Sequence, residues 1–574
     1  MFNETKRERL DALWGSIEEN KQLQMPEWRD IADYIAPNRF RDTYQDKNNN
    51  SRRRAASRRI INTTAPLALR TLRSGMSTGL TNPSRPWFRI LTPNPALNEV
   101  GNVKNWLHVV TMRLREVFIR SNLYNALPIM YGDAAAFGVS AMAVLEDSQD
   151  VMRCYTFPVG SYGLAISERG VVDTFMREYE MTVRQCINSF GDRQAGPNTR
   201  WKNFSRQVRE AYDKGNYERV VRVRHSITPN PDFNPGRGES KNKLFSSNYW
   251  EISADDKTTF LRESGFDYFP ILAARWDLTC STTDIYGIGI GQDVLPDAKS
   301  LQALEKKAAK AVSKIIDPPM TAPTSLRNDK ISLLDGDVTF VDVREGQQGF
   351  RPAHEVRFDI TASELKIREI EKRIQRAFYE DLFLMLAQSD RRQFTAREID
   401  ERSQEKLLVL GPVLEQLNDD ALDPLIDIGF QLMIRFNMLP RPPKELENME
   451  LRVEYTSIMA QAQKMVGLAG IDRFMGYVSQ IVGYSPEAMD KVDIDQSIDE
   501  YGDITGIPPH LIRSDDAVDE IRANRAEAMA AQQQAEQMQM LAKTGKDMSQ
   551  TDLSSENALT ALRDTLGMAT GGNP

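Results

Sequence analysis

The sequence predicts an α+β fold that is predominantly helical. Three observations support this: long stretches with helical spacing of apolar residues, a run of short β-like segments between about residues 139 and 280, and turns rich in Gly, Pro and Asn between them. At 574 residues the chain is too long for one compact core, so we expect several domains.

Composition restricts the class of protein. Apolar residues make up 41% of the chain and charged residues 27%, as in ordinary water-soluble proteins. No stretch reaches the roughly 18 apolar residues of a membrane span. The net charge of -8 argues against a protein covered in DNA-binding surface. We therefore expect no membrane association and, at most, local basic patches.

The reactive side chains form no catalytic or metal-binding pattern. The three cysteines, Cys154, Cys186 and Cys280, are far apart and form no C-x-x-C pair, which predicts buried thiols in a reducing compartment. The four histidines are scattered singly, and no G-x-S-x-G motif is present. We expect no enzymatic activity, no metal and no cofactor.

The first hundred residues are predicted to be mainly helical. A helical pattern covers the N-terminus, with a break at Pro26 and an end at Pro37. A basic loop follows and contains Arg52, Arg53, Arg54, Arg58 and Arg59. These arginines are open to two interpretations, contact with nucleic acid or contact with a neighbouring protein such as another subunit.

Two further helices and a sheet come next. Thr64 and Pro66 open a helix through "TAPLALRTLRSGMSTGL", and "NVKNWLHVVTMRLREVFIRSN" has the spacing of another. Between them "RPWFRI" is predicted to be extended, with Trp87 and Phe88 in the core. The β-like runs that follow predict a sheet of mainly antiparallel strands.

A glycine-rich stretch, "DIYGIGIGQDVLPDAKSLQALEKK", raises the question of a nucleotide site. A dinucleotide fingerprint would need a third glycine where Gln292 stands, and a phosphate loop would need a lysine directly after the glycines. Backbone N–H groups at a helix start can still bind an anion, so a nucleotide-dependent enzyme is one alternative. The favoured interpretation is that Gly287, Gly289 and Gly291 allow a sharp turn and close packing before a helix, with Pro296 in its first turn.

The middle of the chain contains two long amphipathic helices around a small β insert. The first helix covers residues 293–316 and is ended by Asp317, Pro318 and Pro319. The second starts with a capping box from Thr361 to Glu364 and continues as one long helix to residue 389. Such helices need neighbours to bury their apolar faces, and self-association would supply them.

A third helix and a helical C-terminal region follow a short polar loop. The third helix starts with a capping box, Thr395 to Glu398, and is expected to kink at Gly411–Pro412. Residues 443–510 mix helix and turns, and an Ala/Gln/Met-rich helix covers residues 516–545. The polar last thirty residues predict partial disorder.

Several of these segments, taken in order, resemble the portal proteins, or head-to-tail connectors, of short-tailed bacteriophages. The similar segments are "GLTNPSRPWFRI", "FPILAARWD" with the glycine-rich helix start, "KIIDPP", and "QFTAREIDER". Each is weak alone, but they lie in the family's order from about residue 60 to 410. The resemblance is therefore fairly specific and covers most of the chain.

The resemblance implies a subunit with a wing, a two-helix stem, a small β clip and a helical crown. The implied segments are 1–284 (wing), 285–316 (first stem helix), 317–357 (clip), 358–389 (second stem helix), 390–394 (channel loop), 395–442 (kinked wing helix) and 443–574 (crown, with a possible helical barrel and a disordered tail). On this reading the three glycines form the hinge into the stem.

The resemblance also implies the function and the partners. A ring of twelve identical subunits would occupy one capsid vertex of the virion, after assembly in the cytoplasm of the bacterial host. Double-stranded DNA would pass through it during packaging and ejection. Terminase, and later the tail adaptor proteins, would dock on it, and the major capsid and scaffolding proteins would surround it. The alternative is an oligomeric tail or adaptor protein that never encloses DNA.

Two sets of side chains are candidates for contact with DNA. The channel-loop set is Ser389, Asp390, Arg391, Arg392, Gln393 and Phe394, and the stem set is Lys306, Lys307, Lys310 and Lys314. The arginines would either touch passing phosphates or pair with nearby carboxylates. The lysines would either line the bore or pair with acids such as Glu369 and Glu371 of a neighbour, and we favour pairing.

Overall fold

The computed structural model describes residues 5–37, 39–41, 59–98, 100–191, 201, 203–254, 259–280, 282–316, 320–321, 351–352, 360–389, 410–446, 451–456, 474–482, 484, 487, 491–505 and 515–549. The helices are α1 (Lys6–Tyr34), α2 (Thr64–Leu80), α3 (Pro95–Asn98), α4 (Gly101–Arg120), α5 (Leu123–Phe137), α6 (Val183–Phe190), α7 (Arg206–Asp213), α8 (Ile290–Ile316), α9 (Ile360–Ala377), α10 (Glu380–Ser389), α11 (410–417), α12 (Asp423–Arg435), α13 (474–482), α14 (Ile494–Thr505) and α15 (Asp515–Ser549).

Within the described residues the strands form four antiparallel sheets, which confirms the antiparallel pairing predicted for residues 139–280. They are β1 (Phe88–Leu91), β2 (Ala141–Asp147), β3 (Val151–Phe157), β4 (Tyr162–Ile166), β5 (Val172–Thr182), β6 (Val220–Pro229), β7 (Phe245–Glu251), β8 (Arg262–Phe266), β9 (Ile271–Leu272), β10 (Met320–Thr321), β11 (Arg351–Pro352) and β12 (Arg452–Tyr455). The sheet orders are β4-β5-β6-β7-β8, β3-β2-β9, β1-β12 and β10-β11. The chain is therefore a mixed helix-and-sheet fold.

One large apolar core joins the helices to the three-stranded sheet. It contains Trp87 and Phe88, which are 1% and 0% exposed, so their predicted place in the core is confirmed. A smaller core lies between α6, α7 and one face of the five-stranded sheet, and the N-terminal half of α1 covers the other face. The pair β1-β12 brings residues 452–455, from the predicted crown, against the N-terminal part of the chain.

Helix α1 runs through Pro26 without a break, which corrects the sequence prediction. Its start has the full capping box of Thr5 and Glu8. Proline removes one backbone hydrogen bond from a helix, but Met25 and Trp28 next to it are buried in the core. Packing on both sides of Pro26 therefore keeps the helix continuous.

The second long helix is in fact two helices, which corrects the prediction of a single one. α9 ends at Ala377 and α10 begins at Glu380, and Tyr379 between them has a φ of 53°, a left-handed conformation that is rare outside glycine. Phe378 is fully buried, and Phe383 packs against α2 at Gly75, where an added Cβ would lie 2.6 Å from the Cβ of Phe383. Burial of these two rings sets the turn.

Other predicted helix boundaries also differ from the structure. α8 starts at Ile290, so Pro296 lies inside the helix instead of in its first turn. α9 starts at Ile360, ahead of Thr361. Gly411 and Pro412 lie at the start of the described helical residues 410–417, so the expected kink there stays a prediction, and a π-helical turn follows over Asn418–Leu422. The predicted capping box at Thr395 lies outside the described residues.

Among the described helices of eight or more residues, three were not predicted from the sequence, and neither was the four-residue α3. α5 is buried on nearly every side, so it has no amphipathic period to detect. α6 and α7 have eight residues each, with Thr182 and Ser205 as their N-caps. Short capped helices between strands give too few turns for a pattern to stand out.

The cysteines follow the prediction in two of three cases. Cys154 and Cys186 are buried, but Cys280 is exposed in a turn before α8. Hydrogen bonds from Thr282 and Thr283 lower the pKa of Cys280 to about 7. No helix in the described ranges is both long enough and apolar enough to span a bilayer.

Candidate functional site

The three glycines at the start of α8, two before the helix and Gly291 within its first turn, pack directly against the C-terminal end of α5. A Cβ added to Gly287 would lie 2.7 Å from the carbonyl oxygen of Gly138, and one added to Gly289 would lie 2.5 Å from the amide nitrogen of Gly138. At Gly291 it would lie 2.9 Å from the carbonyl carbon of Ala136 and closer still to its oxygen. These glycines are therefore closely packed, as predicted, because their backbone lies directly against the backbone at the end of α5 and leaves no room for a side chain.

The start of α8 is capped by the residue that breaks the dinucleotide fingerprint. The Gln292 side chain accepts a hydrogen bond from the Gly289 amide at 2.5 Å, which is half of a capping box. The same side chain donates to Glu27 of α1 at 3.0 Å. The Gly289 amide is therefore satisfied within the protein, and α5 occupies the space in front of the glycines. This favours the packing role over the nucleotide alternative.

A buried ion pair joins this junction to the π-helical turn. Arg275 donates from Nε and Nη2 to the carboxylate of Asp420, both at 2.8 Å, and its Nη1 donates to the backbone oxygen of Asp284. The two side chains are 3% and 8% exposed. The backbone N–H of the next residue, Trp276, donates a hydrogen bond to the carbonyl oxygen of Gly138 at 3.0 Å. Sequence reasoning missed this pair because 145 positions separate its members.

Helix α8 leaves the core halfway along its length. Val294, Ala298 and Leu301 are buried, but Val312, Ile315 and Ile316 are 36%, 43% and 73% exposed. The candidate lysines lie on this outer half: Lys306, Lys307, Lys310 and Lys314 are all exposed. None of the four pairs with an acid within the described part of the chain. By contrast, Lys299 nearer the core pairs with Asp30 at 2.6 Å.

Helix α9 packs along α8 and brings its own charges. Ile370 and Ile374 are buried between the helices, and Arg373 pairs with Asp297 of α8 at 2.8 Å. The two acids proposed as partners for a neighbour's lysines have contacts within the chain: Glu369 with Lys366, and Glu371 with the side chain of Asn62. Each of the two helices carries five basic and three acidic residues, so the pair is basic in a chain of net charge -8.

The remaining candidates lie mostly outside the described residues. Asp317, Pro318 and Pro319 follow α8, and Asp390, Arg391, Arg392, Gln393 and Phe394 follow α10, whose last residue is Ser389. At the base of the predicted clip, β10 pairs with β11. Of the arginine run only Arg59 is described, and it pairs with Asp33 of α1. That contact gives Arg59 a structural role, while Arg52, Arg53, Arg54 and Arg58 keep both interpretations.

Comparisons with known proteins cover nearly the whole chain. The family model described as bacteriophage head to tail connecting protein matches residues 7–512. A protein of Salmonella phage epsilon15 named "Portal protein" is 43% identical over 565 residues, which is 98% of this chain and 99% of that protein. A protein of Bordetella phage BPP-1 named "Probable portal protein" is 38% identical over 560 residues, 98% of each chain.

Proposed function

Since the chain belongs to the family of bacteriophage head to tail connecting proteins and serves as a phage portal, we propose a ring as its assembled form. Twelve copies of the chain would form this ring at one vertex of the capsid. The observation that carries this proposal is the outer half of the α8–α9 helix pair. Its apolar side chains Ile316 and Leu365 are 73% and 63% exposed in the single chain. Neighbouring copies in a ring would cover them.

We propose that the basic helix pair forms the stem around the DNA channel. Lys306, Lys307, Lys310 and Lys314 of α8, which pair with no acid in the described residues, and the clustered charges in the first half of α9 are all exposed. Because the acids of α9 already have partners within the chain, a neighbour's acids are less available to these lysines than the sequence suggested. The positive charge of the stem would attract phosphates without base-specific contacts. Residues 317–357 would form the clip that meets terminase and then the tail adaptor.

The ring is tested by the mass of the purified protein from light scattering, with electron-microscope class averages of the same material. Twelve copies of 65.2 kDa weigh about 780 kDa, and we expect a ring of that mass with an open centre wide enough for duplex DNA. A closed particle, a tube or a ring of another copy number would support the alternative, an oligomeric tail or adaptor protein. If the free chain is monomeric, the same measurement is repeated with scaffolding protein present.

The channel-loop proposal is tested by deleting residues 390–393. We expect rings of unchanged mass but impaired packaging or retention of DNA, because the deletion removes both loop arginines and begins only after Ser389, the last residue of α10. The measurements are ring mass and the amount of nuclease-protected DNA per particle. The matched variant replaces only Arg391 and Arg392 by glutamine, which separates charge from loop length. Loss of assembly without a separate packaging defect would contradict the channel-loop assignment.

A further inference from the structure

A line of aligned polar and aromatic side chains crosses the five-stranded sheet on one face. The line consists of Tyr162, Arg177, His225, Tyr249 and Arg262, one residue from each strand, and each lies directly opposite the next in the strand register. Directly opposite residues share one face of a sheet and lie about 5 Å apart. This cross-strand row therefore brings two guanidinium groups and an imidazole together although they lie far apart in sequence.

The two guanidinium groups of the row are held by aromatic rings. Arg177 lies 4.8 Å from the ring centre of Phe157 and 4.5 Å from that of Tyr179. Arg262 lies 5.1 Å from the ring of Phe190 and 5.8 Å from that of Tyr249. Stacking fixes the plane of a guanidinium and leaves its N–H edges for a planar or tetrahedral anion.

The row contains two positive charges and no balancing carboxylate. Arg177 donates a hydrogen bond to the Tyr249 hydroxyl, and Arg262 donates to the backbone oxygen of Ser189. Neither arginine forms an ion pair with any residue in the described ranges. Both guanidinium groups approach Tyr249, and an anion between them would be attracted to both charges.

His225 supplies a buried polar atom without a partner. The residue is 5% exposed and its ring stacks on Tyr249 with ring centres 3.8 Å apart. Nε2 lies 3.1 Å from the hydroxyl of Ser247, but Nδ1 has no hydrogen-bond partner, and neither has the buried Nε of Arg177. The Tyr162 hydroxyl of the row is a third buried atom without a hydrogen-bond partner. A buried polar atom left unpaired costs about 1–3 kcal/mol, so three of them in one row favour a bound group.

We propose that the row binds one small tetrahedral oxyanion, of the phosphate or sulfate type, between Arg177, His225 and Arg262. The ion would accept hydrogen bonds from both guanidinium groups and from a protonated Nδ1. A small ion fits better than a nucleic-acid backbone because His225 is almost completely buried. This site is separate from the proposed stem and does not depend on it.

Anion binding at this row is expected to be linked to protonation of His225. Burial and then the charges of Arg177 and Arg262 lower the pKa of His225 well below its usual value, so the ring is neutral in the empty row. The other titratable groups that face it are Tyr249 and Glu251 of β7 and Tyr179 of β5, and burial raises the pKa of each. Added negative charge would favour the imidazolium, so acid should tighten binding.

The test is equilibrium dialysis of the full-length protein against radiolabelled sulfate in chloride at constant ionic strength. We expect one saturable sulfate per chain, displaced by inorganic phosphate. R177Q and R262Q should each weaken binding by at least about tenfold. R206Q is the matched control, because Arg206 pairs with Glu210 on the surface and should not affect the sulfate. Sulfate keeps its charge between about pH 7.5 and pH 5.5, so its own titration cannot change the affinity in this range. Tighter binding at pH 5.5 that disappears in H225Q would therefore show that protonation of His225 is responsible.

Three results would overturn the proposal. The first is the absence of saturable sulfate binding, and the second is sulfate binding that survives both arginine substitutions. The third is displacement of sulfate by a short DNA duplex as effectively as by phosphate, which would assign the row to nucleic acid. If R177Q does not fold, R262Q decides the outcome alone, because Arg262 is exposed. A sulfate affinity that is the same in wild type and H225Q at every pH would remove His225 from the site.

Discussion

Gly291→Ala is expected to destabilise the protein by about 3 kcal/mol and to reduce ring formation. The new Cβ would meet the backbone of Ala136 at 2.9 Å and less, and a carbonyl group inside the C-terminal turn of α5 cannot move aside as a flexible side chain can. α8 would have to shift away from α5 along its first turns. Gly289→Ala should act in the same direction, because its Cβ would lie 2.5 Å from the amide nitrogen of Gly138.

The measurements are the urea midpoint of unfolding and the mass of the assembled particle. The control is Gly15→Ala, in the exposed middle of α1, where an added Cβ has no atom within 4 Å. Alanine there should stabilise the helix by up to about 1 kcal/mol because glycine is a poor helix former. A Gly291→Ala protein with the wild-type midpoint and normal rings would show that the α5–α8 contact is not tight. Loss of nucleotide binding without any change in assembly would revive the nucleotide-site alternative.

The second large effect is expected from the buried pair of Arg275 and Asp420. Asp420→Ala should cost about 3–5 kcal/mol, because it leaves a guanidinium that is 3% exposed without its carboxylate. Replacing both residues together, Arg275→Met with Asp420→Leu, should recover much of that loss, since two apolar side chains of similar size need no charge balance. The pair lies next to the glycines, so single variants should also impair ring formation.

A double-mutant cycle on the urea midpoints measures the coupling in this pair. The matched control is the exposed pair of Arg206 and Glu210 on α7, whose side chains are 84% and 46% exposed. Water screens such a pair, and we expect a coupling below about 1 kcal/mol there. A coupling at Arg275 and Asp420 as small as that of the control pair would contradict the assignment of this ion pair as the link between the π-helical turn and the start of α8.

The candidate site was partly visible in the sequence. The glycines, the lysines of α8 and the first long helix follow local patterns, namely spacing, charge and helix-stop residues, and these survive in the structure, whereas the second long helix is divided at Tyr379. The capping role of Gln292 had a local signal, a glutamine three residues after the N-cap. Local patterns carried no information on the ion pair of Arg275 and Asp420 or on the cross-strand row, because the residues of each lie on different strands, helices or loops far apart in the sequence.

The sequence by itself determined the mixed helix-and-sheet class, the antiparallel strands, the long helices α8 and α15 and the resemblance to phage connectors, since period, caps and turn residues act over a few neighbouring positions. Only the tertiary structure decided that α1 passes through Pro26, that the chain turns at Tyr379, and that α5 is a helix. In each case burial of side chains against distant elements outweighs the local preference of the backbone, because packing a large side chain contributes more free energy than a break in one helical turn costs.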